Sequence, residues 1–364
     1  MQKQYIGTDF ETYLSDVVRS YKAANALIVR GRESYSRCGA RSLVEAALAD
    51  VGCSRVEFSD FTANPRVDDI RRGEELCLQH GCDIILAVGG GSVMDSAKLI
   101  RQHIAERSGN VIPLIAAPTT AGTGAEATRF SVCCVNGEKQ SFIGEHTLPD
   151  CAIVCPRFTY QNDAYLTAST GFDAVAQAIE SYWSVKSTAD SRALAEKSLS
   201  LLWQQLPKLV NDLDNRELRD MVSEGAFYSG LAIDITATTA PHALSYRLTT
   251  MHHYPHGHAV ALTFPFCFEL NTSSAKLSDR LDPAEYAQRT SRLLKLLGCP
   301  EDADRALFMA RYIDSIGLTT RPFTEQEFRP VVEALNPERT ANNPVPFDNE
   351  VKASLVECMK TPVL

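Results

Sequence analysis

The strongest constraint on this chain is the segment DIILAVGGGSVMDSAKLI, which starts at Asp83. Asp83–Val88 reads as a strand, Gly89-Gly90-Gly91 as a tight turn and Ser92–Arg107 as a helix. The same grammar surrounds it. Ala26–Val29 reads as a strand, Arg41–Val51 as an amphipathic helix, Ser54–Phe58 as a strand, Val67–His80 as a helix and Val111–Ala116 as a strand. Strands alternating with helices of this length specify a parallel, doubly wound sheet. Strand character continues through Phe130–Val135, Ser141–Ile143 and Ala152–Val154. After Pro156 the texture changes, and from Gln161 onward Ala, Leu, Ser and charged residues recur at helical spacing. Breaks come at Thr170-Gly171, Pro241, Pro255, Pro265, Pro300 and the Asn342–Pro346 segment. The expected organisation is α/β plus all-α, with residues 1–158 as an α/β domain and 159–364 as a helical domain.

Composition excludes several classes. A net charge of -9 argues against nucleic acid as a partner, since a phosphate backbone demands a basic surface. No run approaches the ~18 uncharged apolar residues of a membrane helix, and the Met-Gln-Lys-Gln-Tyr start lacks a secretory pattern. The 11 cysteines include no C-x-x-C pair, so reduced thiols in a cytoplasmic protein are expected rather than a zinc ribbon or disulfide scaffold.

Two glycine-containing loops point to a dinucleotide. Gly89, Gly90 and Gly91 let the backbone approach an anion, and the following helix directs unpaired N–H groups and its positive end there. Ser92 is placed to cap that helix and add a hydroxyl contact. The motif is neither G-x-G-x-x-G nor a Walker A, and a lone glycine turn can simply join elements. The second loop, Pro118-Thr119-Thr120-Ala121-Gly122-Thr123-Gly124-Ala125-Glu126, offers hydroxyls and amides after the next strand. Two such loops at successive strand ends favour a dinucleotide crevice over two ordinary turns.

The second half carries a candidate cation site. Asp173 and Gln177 lie one helical turn apart and share a face. Five of the 8 histidines, His242, His252, His253, His256 and His258, fall in one window. In a straight helix His242 and His256 would be about 21 Å apart, but Pro255 and Gly257 argue against such a helix. If the chain breaks and returns, both imidazoles can converge with Asp173 on one ion. A carboxylate and two imidazoles suit Zn²⁺ or Fe²⁺ and leave positions open for a substrate oxygen. Spacing alone equally allows structural roles, and His252, His253 and His258 read as solvated, capping or supporting residues.

GGGSVMDSAK, PTTAGTGAEAT, GFDAVAQAIESY and the pair PHALSY…YPHGHAVAL together resemble the iron-containing (group III) alcohol dehydrogenases, in order and spacing, from about Ala26 to Phe266. The resemblance implies a dehydroquinate-synthase-like fold, with an NAD(P) cofactor in a cleft between an α/β domain and a helical metal domain. It implies Asp173, His242 and His256 as metal ligands, with Gly89, Gly90, Gly91, Ser92 and Asp95 on the diphosphate and nicotinamide side of the cofactor. Thr119, Thr120 and Thr123 would line the adenine and ribose region, and Lys139 would sit near the ribose. A homodimer or larger assembly is also implied.

Two departures stand out. Where the family helix usually reads D-x-x-x-H, Gln177 occupies the second ligand position, and an amide oxygen binds Zn²⁺ or Fe²⁺ more weakly than imidazole. Tyr246 replaces a further histidine. With QAIESYWSV and TTAPHALSY, these changes resemble the phosphonoacetaldehyde reductase (2-hydroxyethylphosphonate dehydrogenase) branch. The turn Arg30-Gly31-Arg32-Glu33 also departs: Gly31 stands where the family often carries an Asp that repels a 2′-phosphate. With Arg30 and Arg32 beside it, NADPH is expected to serve at least as well as NADH unless Glu33 pairs with them.

The implied reaction is reversible reduction of a small aldehyde, with the cation polarising the carbonyl and the nicotinamide delivering hydride. Tyr246, one turn beyond His242, is a candidate proton relay or else a packing aromatic. A phosphonate would need fixed donors, for which Lys186, Arg247, His253 and Arg129 are candidates. The competing readings are a short-chain alcohol or diol dehydrogenase acting on lactaldehyde or butanal, a metal-independent reductase like the maleylacetate-reducing cousins, and a nucleotide-binding protein whose metal site has decayed.

Overall fold

The computed structural model describes residues 2–135, 138–274 and 276–361. The chain divides after Asn162 into two compact units.

The first unit runs β1 (Lys3–Ile6), α1 (Phe10–Tyr21), β2 (Asn25–Arg30), α2 (Ser34–Arg37), α3 (Ala40–Asp50), β3 (Ser54–Phe58), α4 (Val67–Gln79), β4 (Ile84–Gly89), α5 (Gly91–Ser108), β5 (Leu114–Pro118), β6 (Phe130–Val135), β7 (Glu138–Ile143) and β8 (Cys151–Val154). Six strands form one sheet in the order β1-β8-β5-β4-β2-β3, every pair parallel. Strands β4, β5 and β8 are buried at every position, as expected where helices cover both faces. The alternation of strand side chains sorts β2 between two cores. Ala26 and Ile28 join Phe10, Leu14 and Val17 of α1 and Val44 and Leu48 of α3. Leu27 and Val29 join Ile70 of α4 and Ala97 and Ile100 of α5.

The sequence reading passed over β1 and α1. Strand β1 is only four residues long and half exposed, so its period is invisible alone. Helix α1 buries Phe10, Leu14, Val17 and Val18, at roughly 1.5–3 kcal/mol each. Strand β5 begins at Leu114, three residues later than the apolar run suggested. Strands β6 and β7 form a separate antiparallel hairpin.

From β2 the chain proceeds to β3 on one side, while β4 pairs on the other. The sheet order therefore reverses at β2, and the carboxyl ends of β2 and β4 flank a topological switch point, where α/β sheets bind ligands.

The second unit is helical: α6 (Ala164–Trp183), α7 (Ala189–Leu202), α8 (Gln205–Asn211), α9 (Arg216–Thr236), α10 (Ala240–His252), α11 (His256–Ser273), α12 (Pro283–Leu297), α13 (Arg305–Ser315), α14 (Glu325–Glu333), α15 (Pro337–Thr340) and α16 (Asn349–Cys358). Helix starts follow capping chemistry: Asp163 accepts from Leu166 N at 2.8 Å, Asn215 from Leu218 N at 3.1 Å, and Thr188 forms a capping box with Ser191. From Gly171 to Trp183 every residue of α6 is buried, which marks it as the central helix of the unit. Ion-ligand candidates on α6 thus sit inside the protein. Among the described residues no helix is long and apolar enough to cross a membrane.

Candidate active site

The two loops proposed for a dinucleotide lie side by side at the carboxyl ends of the neighbouring strands β4 and β5. Gly89 pairs with Pro118, and Thr119 N donates to Gly89 O at 3.0 Å. A β-carbon on Gly91 would touch Thr123 Cγ2 at 3.4 Å, and one on Gly90 would lie 3.6 Å from Thr120 Oγ1. Thr120 and Thr123 therefore hem in the glycine turn itself. Thr119 O accepts from Asn162 Nδ2 at 3.0 Å. Gly89 is required by packing: its β-carbon would fall 2.3 Å from Cγ2 of Val93, a stiff β-branched side chain.

The expectation that Ser92 caps α5 is corrected. Gly90 occupies the N-cap position, Ser92 is inside the first turn, and its hydroxyl donates to the Ala63 carbonyl. Among the described residues no acceptor in the chain meets the amides of Gly91 and Ser92. A helix start with open donors and no side chain in the way fits an anionic diphosphate.

Asp95, one turn further on, accepts from Val132 N of the hairpin. Burial pushes its carboxyl up to about 7, against the pull of Lys98 and Lys139. Burial in turn lowers the Lys139 ammonium, with Asp95 opposing. Asp95 and Lys139 thus face each other beside the turn.

At the end of β2, Gly31 N donates to Val88 O at 3.2 Å, so this turn adjoins the glycine turn. Arg30 Nε donates to Glu57 Oε2 at 2.5 Å, and Arg41 reaches the same carboxylate at 3.0 Å. Glu57, not Glu33, is the partner of Arg30. The Arg32 side chain is 69% exposed and donates to the carbonyls of Ser59 and Phe61, with Asp60 3.9 Å away.

In the helical unit Asp173, His242 and His256 converge, each offering a ligand atom within 4.8 Å of the others. His242 Nε2 lies 3.1 Å, and His256 Nε2 3.7 Å, from Asp173 Oδ1. The break needed to bring the histidines together is present. Helix α10 ends at His252 and is capped by His253, whose φ of 60° is left-handed, and α11 starts at His256 after Pro255. Gly257 permits the approach: a β-carbon there would lie 1.9 Å from Ser169 O and 3.0 Å from Asp173 Cβ.

The remaining hydrogen bonds set the imidazoles for ligation. Glu180, fully buried two turns beyond Asp173, binds His242 Nδ1 through Oε2. Its Oε1 accepts from Thr239 N at 2.8 Å and Thr239 Oγ1 at 2.7 Å. The Ser245 hydroxyl donates to His242 O at 2.7 Å, which leaves its oxygen to accept from His256 Nδ1 at 3.3 Å. Both rings then present Nε2 to the common point, the arrangement expected of metal-bound histidines. Burial alone would raise Asp173, but His256 and His242 hold its carboxyl below the usual range. His242 is held up at about 10: burial works against its cation, and the Glu180 and Asp173 carboxylates outweigh it. One carboxylate and two imidazoles, with Asp173 and His242 buried and His256 partly exposed, fit a divalent ion. Gln177 Oε1 accepts from Ser229 Oγ of α9 at 2.9 Å.

Two descriptions cover most of the chain: "Iron-containing alcohol dehydrogenase" matches residues 2–156 and "Fe-containing alcohol dehydrogenase family, C-terminal" matches 167–318. This chain belongs to the iron-containing alcohol dehydrogenases. Alcohol dehydrogenase 4 of Schizosaccharomyces pombe is 27% identical over 345 residues, 89% of this chain and 80% of the relative. Phosphonoacetaldehyde reductase of Streptomyces viridochromogenes is 30% identical over 293 residues, 74% of each chain. The crystal structure of sulfoacetaldehyde reductase from Bifidobacterium kashiwanohense in complex with NAD+ superposes with a TM-score of 0.85 at 27% identity, covering 99% of this chain and 97% of that one. As a family member the chain is an alcohol-dehydrogenase-type oxidoreductase with a dehydroquinate-synthase-like architecture.

The remaining candidates from the sequence differ in exposure and contacts. Tyr246 stands with its ring 6.1 Å from the His256 ring, edge to face. Lys186, His253 and Arg129 are exposed, and Arg247 is half-buried. His258 spans Tyr165 OH at 2.8 Å and Thr319 O at 2.8 Å; burial lowers its basicity, so it braces the structure as a neutral ring. Sequence reasoning missed Glu180 and Ser245. Glu180 lies seven residues after Asp173, which puts both on one face of α6, so the signal was available. Ser245 carried none beyond its place between two histidines in the fold.

Proposed function

We propose that this protein is a metal-dependent, NAD(P)H-linked reductase that converts phosphonoacetaldehyde to 2-hydroxyethylphosphonate, in a reducing, cytoplasmic compartment. The observation that carries the reading is the convergence of Asp173, His242 and His256 on one point. Two of the similar proteins bear the names of reductases for small aldehydes with a tetrahedral oxyanion at the other end, which favours an anionic aldehyde over butanal or lactaldehyde. All 11 cysteines are free thiols, as suits a reducing compartment.

A divalent ion bound by Asp173, His242 and His256, Fe²⁺ or Zn²⁺ by donor type, supplies Lewis-acid polarisation of the aldehyde, and a reduced nicotinamide supplies the hydride. The rest falls to the chain. Glu180 and Ser245 keep the Nδ1 protons of His242 and His256 in place, so that both Nε2 lone pairs remain available. Gln177, engaged by Ser229, stays out of the ligand set and leaves room for the aldehyde oxygen. Tyr246, beside His256, passes a proton to the product oxygen. Gly90, Gly91 and the first amides of α5 take the diphosphate, with Thr120 and Thr123 bordering it. Arg30 is neutralised by Glu57, so tolerance of an NADPH 2′-phosphate rests on Arg32 and on the absence of a carboxylate at Gly31.

The test is a panel of phosphonoacetaldehyde, butanal and lactaldehyde, with NADPH or NADH. The proposal expects the highest kcat/KM for phosphonoacetaldehyde and NADPH at least equal to NADH. Equal or better turnover of butanal or lactaldehyde would make this a general short-chain alcohol dehydrogenase instead.

A further inference from the structure

We infer that Arg339 is the residue that receives the oxyanion end of the substrate, a role that rests on the anionic-aldehyde reading above. Arg339 lies in α15, beyond residue 318 where the family match ends, so the resemblance assigns it nothing. Its guanidinium carbon lies 4.1 Å from the centroid of the Tyr246 ring, and that ring in turn packs against His256. The cation is one aromatic ring away from an ion ligand.

Three features distinguish it from an ordinary surface arginine. Among the described residues no carboxylate pairs with Arg339 and no side-chain hydrogen bond uses its guanidinium, although the residue is half-buried. A partly desolvated cation held only by stacking keeps its planar fork of donors open, and that fork matches tetrahedral and carboxylate oxyanions.

The second feature is its support. Asn342 and Asn343, three and four residues on, are 5% and 2% exposed. Asn342 Nδ2 donates to Thr236 O at 2.7 Å and Thr238 O at 3.0 Å, and its Oδ1 accepts from Ser184 Oγ at 2.8 Å. Those two carbonyls flank Ala237, whose φ of 57° is left-handed, in the turn that leads into α10 and His242. Asn343 exchanges hydrogen bonds with Asn271 of α11 at 2.9 and 3.1 Å. The segment bearing Arg339 is thus tied to both helices that carry the ligand histidines, so the cation keeps a fixed relation to the ion site.

The third feature is its burial beside the site. Lys186, His253 and Arg129 are exposed, whereas Arg339 is half-buried over the ring that packs against His256. The Tyr246 ring thus meets His256 edge to face and carries the Arg339 guanidinium over it.

The experiment uses the metal-loaded, full-length protein and its Arg339→Gln and Arg339→Lys variants. Two quantities are read: kcat/KM for phosphonoacetaldehyde relative to butanal, and inhibition of butanal reduction by methylphosphonate, methanesulfonate and acetate. A lost charge-assisted fork corresponds to roughly 10- to 100-fold. Arg339→Gln is expected to lower the phosphonoacetaldehyde-to-butanal ratio by that factor and raise the inhibition constant of the preferred anion similarly, with partial rescue by Arg339→Lys. Metal content and Tm report on folding. Equal losses for both aldehydes, an unchanged inhibition constant, or wild-type protein insensitive to all three anions would each overturn the role. If phosphonoacetaldehyde is a poor substrate but methanesulfonate or acetate still inhibits through Arg339, the phosphonate reading fails and the anion subsite stands. If Arg339→Gln keeps a strong preference for phosphonoacetaldehyde, the reverse holds.

Discussion

Gly257→Ala adds one carbon at the position where the site is tightest. Its β-carbon would start 1.9 Å from Ser169 O and 3.0 Å from Asp173 Cβ, whereas a carbon–oxygen contact settles at about 3.3 Å or more. The start of α11 must therefore move from α6 by about 1.4 Å, or α6 must yield its backbone. His256 is the residue immediately before, so its Nε2 moves with it, away from Asp173. Metal–ligand distances tolerate about 0.2 Å, and the displacement exceeds that several-fold. Alanine gains about 1 kcal/mol over glycine in helix propensity, which offsets part of an overpacking cost of about 1–3 kcal/mol. Global stability should fall only modestly, while the Kd for Zn²⁺ should rise by more than about 100-fold, beyond the usual effect of losing an outer partner. The assay is competition with a chromophoric chelator, run beside thermal unfolding of the metal-free protein. Gly225→Ala is the control: its β-carbon would crowd Leu202 Cγ at 2.7 Å on α7, so Tm should drop without comparable loss of metal affinity. Wild-type Zn²⁺ affinity in Gly257→Ala would refute the reasoning.

Three further outcomes follow from the same geometry. Glu180→Gln can keep accepting from Thr239 only by turning its NH₂ toward His242 Nδ1, which drives the ring proton onto the ligand atom Nε2; Zn²⁺ affinity should fall about 10- to 100-fold, and an unchanged Kd would remove Glu180 from the site. His242, held near 10 in the ion-free protein against an unfolded value near 6.5, contributes stability that is complete below about pH 6.5 and disappears as pH rises through about 10. Because the ion must displace that proton, its apparent affinity should gain about ten-fold per pH unit, and the Tm increase on adding Zn²⁺ should be larger at pH 8 than at pH 6; an equal or smaller increase at pH 8 contradicts this. Arg32→Gln should lower kcat/KM for NADPH about ten-fold more than for NADH, and a parallel loss for both cofactors would mean that Arg32 does not meet a 2′-phosphate.

The parallel sheet was legible because its central strands are apolar at every position and bounded by glycine turns. Neighbouring strand ends then brought Gly31, Gly89–Gly91 and Thr119–Thr123 together at the carboxyl end of the sheet, as two glycine-containing loops at successive strands imply. The candidate ion site was legible in its residue types, yet its geometry depended on a chain reversal that Pro255 and Gly257 only hinted at. Ser92 misled because a serine after glycines at a helix start is ordinarily a cap, whereas here Ala63, 29 residues earlier, takes its hydroxyl. Glu33 misled because proximity in sequence suggested a partner for Arg30, and β-sheet pairing delivered Glu57 instead. Arg339 lies 93 residues from Tyr246, and no local pattern could join them; Asn342 and Asn343, just beyond Arg339, anchor the segment that bears it.

The most direct test of the central claim is an anaerobic titration of chelator-stripped protein with Fe²⁺, following NADPH oxidation by phosphonoacetaldehyde. Activity absent without metal, rising linearly and breaking at one equivalent per chain, and missing throughout in Asp173→Ala, is the predicted result. Full aldehyde-dependent oxidation by the stripped protein, unaffected by Fe²⁺ or by Asp173→Ala, would contradict it.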